Sequence, residues 1–173
     1  TLTVSDGDNA NAVSAATYVD GFSISNEEST PQGFRFNNDG TKMFVIGSNG
    51  DDVNEYTLST AFDVSTASFV DSFDISSQEL GPRDVAFSND GLKMFVVGVR
   101  GDDVNEYTLS TAFDVSTASF VDSFDISSQE LGPRDVAFSN DGLKMFVVGV
   151  RGDDVNEYTL STAFDVSTAS FVD

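Results

Sequence analysis

The sequence predicts an all-β fold of β-propeller blades, which are four-stranded antiparallel sheets, in an incomplete arc of about three blades per chain. One observation is that a unit of 51 residues, Ala61 to Thr111, recurs without a single change from Ala112 to Thr162. Another is that each unit holds four short strand patterns separated by turn residues, and no stretch with sustained helical periodicity. Four strands per unit at this period are typical of propeller blades, whereas the coils of a parallel β-helix are much shorter.

Two incomplete copies flank the exact repeats. A diverged copy runs from Ser14 to Thr60, and a truncated copy runs from Ala163 to Asp173. Because the chain starts without Met and ends inside a unit, we expect it to be a processed product or an excised piece. The predicted organisation is a leader, residues 1–13, and a repeat domain, residues 14–173, with units 14–60, 61–111 and 112–162 and a partial unit 163–173.

The strands of one unit are predicted to run from the central channel outward, as in propellers. Asp84–Ser88 is then innermost, Lys93–Val99 second and Val104–Ser110 third, with the outer strand of the preceding blade at Ser68–Ile75. The second strand is almost continuously apolar, which predicts burial of both its faces. Asn89-Asp90-Gly91 supplies the positive-φ residues of a tight hairpin between the first two strands.

The residues of this hairpin carry a resemblance to a known family. FSNDGLKMFVVG, from Phe87 to Gly98, and FNNDGTKMFVIG, from Phe36 to Gly47, resemble the core of bacterial YVTN-type propeller repeats. The long unit is also similar to repeats in surface and phage-associated proteins of marine microbes. The resemblance covers each unit from about Gly81 to Ser110 and implies the propeller fold, while saying little about function.

Composition and charge exclude several classes of function. The chain has 29 acidic and 8 basic residues, a formal charge of −21, and neither Cys nor His. A field of this sign repels nucleic acid and anionic membranes. The commonest general base and the thiolate metal ligands are absent. No apolar run approaches the roughly 20 residues of a membrane helix. We expect a secreted or cell-surface protein.

Oxygen-rich turns are the candidate metal sites, because calcium prefers carboxylate ligands. The turn between the second and third strands carries a pair of aspartates in every unit, beside arginines such as Arg100 and near Glu79 and Arg83. These charges either form ion pairs between adjacent loops or bind calcium. The leader residues Asp6, Asp8 and Asn11 depart from the EF-hand spacing. The predicted calcium ligands are Asp51, Asp52, Asp102, Asp103, Asp153 and Asp154.

The exact repeats argue against catalysis. An active site needs groups in different roles, and identical copies are expected to offer identical environments. The main hypothesis is therefore a non-enzymatic structural or adhesive protein that associates with copies of itself. One alternative is a multivalent binder of glycans or calcium, with sites in Ser76–Arg83 and Arg100–Asp103. A lactonase-like hydrolase, by analogy of fold alone, is the other alternative.

Self-association is predicted to use strand exchange. Thr17–Ile24 has the apolar pattern of an outer strand, yet no inner strands precede it. A lone strand is unstable in water, so we expect it to dock on the outer edge, Val155–Ser161, of another copy.

Asp71 falls among the apolar positions of its own outer strand, Ser68–Ile75, and needs hydrogen bonds or an edge position there.

Overall fold

A computed structural model describes residues 16–172, and it confirms the predicted all-β fold. These residues form three four-stranded antiparallel sheets, and in each sheet the strands lie side by side in chain order. We call these sheets blades 1, 2 and 3. Blade 1 contains β1 (Pro31–Phe36), β2 (Lys42–Gly47), β3 (Asp52–Leu58) and β4 (Ala67–Asp74); blade 2 contains β5 (Pro82–Phe87), β6 (Lys93–Gly98), β7 (Asp103–Leu109) and β8 (Ala118–Asp125); blade 3 contains β9 (Pro133–Phe138), β10 (Lys144–Gly149), β11 (Val155–Leu160) and β12 (Ala169–Phe171).

The first strand of each blade lies on the inside of the arc. β1 contacts β5, and β5 contacts β9, so these three strands form the channel wall. The hairpin turns next to them are joined as well: Asn38 Nδ2 donates to the carbonyl of Asn89 at 2.7 Å, and Asn89 Nδ2 donates to the carbonyl of Asn140 at 2.6 Å. The inner-to-outer strand order predicted from the sequence is therefore confirmed. Residues 16–172 form an arc that does not close on itself.

The hydrophobic core lies between blades. Each blade has a leading face, directed at the preceding blade, and a trailing face, directed at the next one. The trailing face of blade 1, with Phe44, Ile46 and Val53, packs against the leading face of blade 2, with Met94 and Tyr107. Neighbouring residues of a strand point to opposite faces. Both faces of β6 are therefore buried, as its unbroken apolar sequence predicts.

A glycine and a phenylalanine fix the turn between β5 and β6. Gly91 has φ 70°, as the Asn-Asp-Gly pattern predicts, and Phe113 also has a positive φ, 55°. The N–H of Phe113 donates to the carbonyl of Gly91 at 2.9 Å, and its ring covers the glycine so closely that a Cβ there would lie 2.2 Å away. The ring packing offsets the backbone strain of a non-glycine residue at positive φ.

Thr17–Ile24, which the sequence predicts to pair with another copy, forms no strand within residues 16–172, where the first strand begins at Pro31. A strand needs a neighbour for its N–H and C=O groups, and residues 16–172 provide none at that place. The end of the segment nevertheless packs as the end of an outer strand does. Phe22 meets the Tyr56 ring edge-on at 5.7 Å, as Phe73 meets Tyr107 at 5.6 Å.

The outer edge of blade 3 is partly occupied, which corrects the expectation of a free edge along Val155–Ser161. β12 pairs with β11 from Leu160 to Tyr158, and the N–H of Val172 donates to the carbonyl of Glu157 at 2.8 Å. Only the part of this edge before Glu157 lacks a neighbouring strand among the described residues.

Asp71 lies on the exposed edge strand β4, as its sequence position requires. No helix within residues 16–172 has the length and hydropathy needed to cross a membrane.

The turn generates the first prediction. Gly91→Val should lower the free energy of unfolding by about 2 kcal/mol or more, because a β-branched residue is strained at positive φ and its side chain would overlap the Phe113 ring. Urea denaturation followed by circular dichroism measures the loss. Leu92→Val, a β-branched change at the exposed neighbouring position, is the matched control and should have little effect. Equal stability of the Gly91 variant and the wild type would contradict this account of the turn.

Candidate functional site

A buried ion pair ties each blade to the next one. Lys93 Nζ lies 2.6 Å from Glu106 Oε1 within blade 2. The same Lys93 Nζ donates to the carbonyl of Phe164 at 2.6 Å, and the N–H of Val166 donates to Glu106 Oε2 at 2.9 Å. Phe164 and Val166 belong to the connection between β11 and β12 of blade 3. We call this set of a lysine, a glutamate and the neighbouring connection the clamp.

Blade 1 holds blade 2 by the same clamp. Lys42 Nζ lies 2.6 Å from Glu55 Oε1 and donates to the carbonyl of Phe113 at 2.6 Å, and the N–H of Val115 donates to Glu55 Oε2 at 3.0 Å. A buried carboxylate is costly unless charged and hydrogen-bonding partners surround it. Here the partners come from two blades, because a short 3-10 turn capped by Asp114 presents the N–H of Val115 to the glutamate.

Each end of the arc carries one half of a clamp. In blade 3, Lys144 Nζ lies 2.5 Å from Glu157 Oε1, but no connection covers the pair among the described residues. The glutamate side chain is 31% exposed there, against 2% for Glu106. At the other end, the connection after β3 repeats the same sequence, yet within residues 16–172 no lysine–glutamate pair meets Phe62 and Val64.

The apolar faces at the ends are complementary in the same way. The leading face of blade 1 is partly covered by Phe22 and Ile24, which leaves an apolar cavity of about 410 Å³ beside Met43 and Val45. The trailing face of blade 3 is not covered by any other described part of the chain. Val155 is 62% exposed, although its equivalents in blades 1 and 2, Val53 and Val104, are fully buried.

An aromatic cluster marks the missing contact. Between blades 1 and 2 the ring of Phe44 lies 4.4 Å from that of Phe87, and Phe113 packs beside both. On the leading face of blade 1, Phe36 and Phe62 are the equivalents of Phe87 and Phe113, and their rings lie 5.3 Å apart. No third ring from a preceding blade joins that pair within the described part of the chain.

The aspartates predicted to bind calcium lie in the turns between the second and third strands. Asp102 has φ 50°, and its Oδ1 accepts from the N–H of Gly132 at 2.9 Å. Asp103 Oδ1 accepts from Asn105 Nδ2 at 2.7 Å, and burial raises the pKa of Asp103. Among residues 16–172 no three acidic side chains gather into a group that could hold a metal ion. Calcium binding stays a prediction, and the leader candidates Asp6, Asp8 and Asn11 lie outside the described residues.

The loop ion pairs expected around Glu79 are not the contacts that the structure forms. Glu79 is buried and accepts from the backbone N–H groups of Arg100 at 3.0 Å and Gly101 at 3.1 Å. Burial raises the pKa of Glu79. Its carboxylate lies against Gly98, where a Cβ would approach it to 2.4 Å. This glutamate closes the turn as a hydrogen-bond acceptor, which is a structural role.

The channel holds a charged group that the sequence analysis missed. Arg35 Nη2 lies 2.5 Å from Asp84 Oδ2 and 2.8 Å from Asp135 Oδ1, so one residue of blade 1 reaches both other blades. Burial, a hydrogen bond with Asp135 and the charge of Asp135 raise the pKa of Asp84 to about 8, although Arg35 opposes the shift. A signal was present in the diverged copy, where Gly33 and Arg35 replace the Asp84 and Ala86 of the exact repeat.

Comparisons with known proteins support the fold. No known family profile and no curated protein matches the chain. Solved structures do match, with an identity of 14–19% in three of them. A putative 6-phosphogluconolactonase from Bacteroides fragilis matches with a TM-score of 0.60 and 16% identity, over 83% of this chain and 37% of that one. The periplasmic gluconolactonase of Pseudomonas aeruginosa matches with a TM-score of 0.54 and 19% identity, over 81% and 39%. The β-propeller domain of Cps50 from Myceliophteria thermophila matches with a TM-score of 0.56 and 14% identity, over 83% and 42%.

These matches place the three sheets among propeller blades and carry no statement about activity, since the identities are low. The chain spans about two fifths of each of these proteins. The YVTN resemblance is confirmed only as far as the propeller fold.

The clamp generates a prediction with a built-in control. Glu106→Ala should lower the free energy of unfolding by about 3 kcal/mol, because it leaves the Lys93 charge and the Val166 N–H without their buried partner. Glu157→Ala removes the same residue where no connection covers it, and should cost less than about 1 kcal/mol in dilute protein. Urea denaturation of both variants measures the difference. Equal losses would show that the clamp does not join the blades.

The raised pKa of Asp84 predicts that the free energy of unfolding depends on pH. The folded-state pKa of Asp84, about 8, lies above the ordinary value near 3.8, so folding retains a proton that the unfolded chain releases. The free energy of unfolding should therefore fall as pH rises from about 4 to 8, and change no further above that range. In Asp84→Asn this part of the fall disappears, so the melting temperature of the variant minus that of the wild type should rise with pH. Parallel pH profiles would contradict the assignment.

The calcium hypothesis has a direct test. If the aspartate turns bind the ion, EDTA should lower the melting temperature, because a ligand of the native state stabilises it by mass action. Replacing Asp52, Asp103 and Asp154 together by Asn should abolish that response. A wild-type melting temperature that neither EDTA nor added calcium changes at fixed ionic strength would overturn the hypothesis.

Proposed function

We propose that this chain is a non-enzymatic, extracellular structural module that associates head to tail with other copies of itself. The observation that carries the proposal is that its two ends present the complementary halves of an interface that the chain forms twice internally. The internal copies of this interface, between blades 1 and 2 and between blades 2 and 3, combine apolar faces with a clamp.

The internal interfaces also specify how two copies would dock. By analogy with Phe113 and Val115, the carbonyl of Phe62 in one copy would accept from Lys144 of the preceding copy, and the N–H of Val64 would donate to Glu157 of that preceding copy. The half-buried Phe146, with Val148 and Val155, would enter the cavity on the leading face of blade 1 and complete its aromatic cluster. Packing of this kind covers the apolar surface that an open arc leaves exposed.

The N-terminal segment extends the same contact by strand exchange. Asp20–Ile24 corresponds in the repeat to Asp71–Ile75, which is the second half of an outer strand. The edge of β11 before Glu157 is where that half would pair in blade 3. In the docked assembly, this segment of one copy would continue the outer strand that β12 of the other copy begins, by addition of a strand to an open sheet edge.

A head-to-tail contact has two outcomes. If the rotation per chain closes the arc, two chains supply six blades, which lies within the range of about four to eight blades for closed propellers. If it does not close, the same contact repeats and builds a filament. Either form suits a structural or adhesive role, since repeated blades multiply weak contacts. The strong negative charge suits an extracellular site, because it keeps such an assembly soluble.

The proposal predicts a concentration-dependent mass. Sedimentation should give species above the 18.5 kDa of one chain, with the mass rising with concentration. Val155→Glu should return the protein to single chains with unchanged circular dichroism, because it places a charge on the trailing face of blade 3. Val121→Glu, at an exposed valine of the outer strand β8, is the control and should still associate. A wild type that stays a single chain at all concentrations would overturn the proposal.

Lactone hydrolysis is the second candidate function, and one observation favours it. Asp84 lies in the channel with a pKa raised to about 8, and a carboxyl group of that pKa can donate or accept a proton near neutral pH. Of the similar structures described above, one is named a putative 6-phosphogluconolactonase and another a periplasmic gluconolactonase. Release of acid from gluconolactone by the wild type, lost in Asp84→Asn, would support it. Equal rates for both proteins and for buffer would exclude it.

A further inference from the structure

Within residues 16–172, the four arginines outside the channel have no acidic partner. The chain has 8 basic and 29 acidic residues. Its three lysines are bound in the lysine–glutamate pairs, and Arg35 binds two aspartates in the channel. Within residues 16–172 no carboxylate lies within ion-pair distance of the other four. In so acidic a protein, cations without carboxylate partners indicate another role. These four are Arg83, Arg100, Arg134 and Arg151.

Three of the four converge on one cavity between blades 2 and 3. The cavity has a volume of about 380 Å³, and Arg83, Arg134 and Arg151 line it. Val99, Leu131 and Val150 form an apolar part of its wall. Asp102 also lines the cavity, but its carboxylate accepts from the N–H of Gly132 and forms no ion pair with these arginines. Volumes of roughly 300 to 1,000 Å³ are usual for small-molecule sites.

The exact repetition creates an unbalanced charge in this cavity. Between blades 1 and 2 the matching position holds Gln32, whose Oε1 accepts from Arg83 Nη1. Between blades 2 and 3 the residue at the position of Gln32 is Arg83 itself, so Arg134 faces a second donor where Arg83 faces an acceptor. Arg83 Nε is buried and has no hydrogen-bond partner in the described part of the chain. Burial and the charge of Arg134 lower the pKa of Arg83.

We propose that this cavity binds a small organic ligand that carries an oxyanion, such as a carboxylate or phosphate group. Guanidinium groups bind such anions through paired N–H donors, and several of them around one anion supply both charge and geometry. The anion provides the acceptor that Gln32 provides between blades 1 and 2, and the valine and leucine side chains contact the uncharged part of the ligand. The site lies inside one chain, so it is independent of self-association.

The test compares an acid with its neutral analogue. Glucuronate and glucose share a ring and differ in the carboxylate, and inorganic phosphate tests the anion alone. Binding is measured by calorimetry at constant ionic strength, because any salt screens the charge of −21. We expect saturable binding of glucuronate and of phosphate, and no binding of glucose. Equal responses to glucuronate, glucose and sodium chloride would overturn the proposal.

Variants assign the binding to the cavity. Arg134→Gln should weaken glucuronate binding at least tenfold and should leave folding intact, because this side chain is exposed and glutamine occurs at the matching place in blade 1. Arg100→Gln removes an arginine outside this cavity and should leave the affinity unchanged. If both variants bind as the wild type does, or both lose binding equally, the cavity is not the site. Arg151→Gln serves as a second variant should Arg134→Gln lose its structure.

Discussion

The structure depends on a carboxylate that one blade buries and the next blade satisfies. Glu106 is almost fully enclosed, and its two oxygens bind a lysine of its own blade and a backbone N–H of the following blade. Removal of such a carboxylate from water is expensive, and partners from both blades are needed to offset the cost. The clamp therefore couples the spacing of the blades to the burial of a charge. The same spacing brings the trailing and leading apolar faces into contact.

Much of the fold could be predicted from local pattern. Alternation and turn residues located the strands, and the unbroken apolar run of β6 predicted its burial on both faces. The clamp was missed, although its lysine and glutamate recur at one separation in all three blades, because the partner atoms belong to the backbone of a distant connection. The channel group was missed for a similar reason, since Arg35, Asp84 and Asp135 meet only when three blades stand side by side.

Thr17–Ile24 shows that apolar alternation alone does not predict a paired strand. Its apolar alternation matches an outer strand, and Phe22 and Ile24 do pack as such a strand would. The alternation reports which side chains can be buried, but the backbone needs a neighbouring strand before it forms a ladder. Side-chain packing and strand pairing are separate requirements, and here one is met without the other.

The expectation that identical copies offer identical environments is wrong for an open arc. Asp84 and Asp135 occupy the same position in exact repeats, yet their side chains are 5% and 53% exposed. Glu106 and Glu157 differ likewise. Position in the arc, and not sequence, creates these differences, because blade 3 has no following blade within the described residues. A docked copy would enclose Glu157 as blade 3 encloses Glu106, and it would face Asp135 with the Gly33 of its first blade, which adds no carboxylate. Head-to-tail association would therefore satisfy the exposed clamp without creating a second acidic pair of the Asp84–Asp135 kind in the channel.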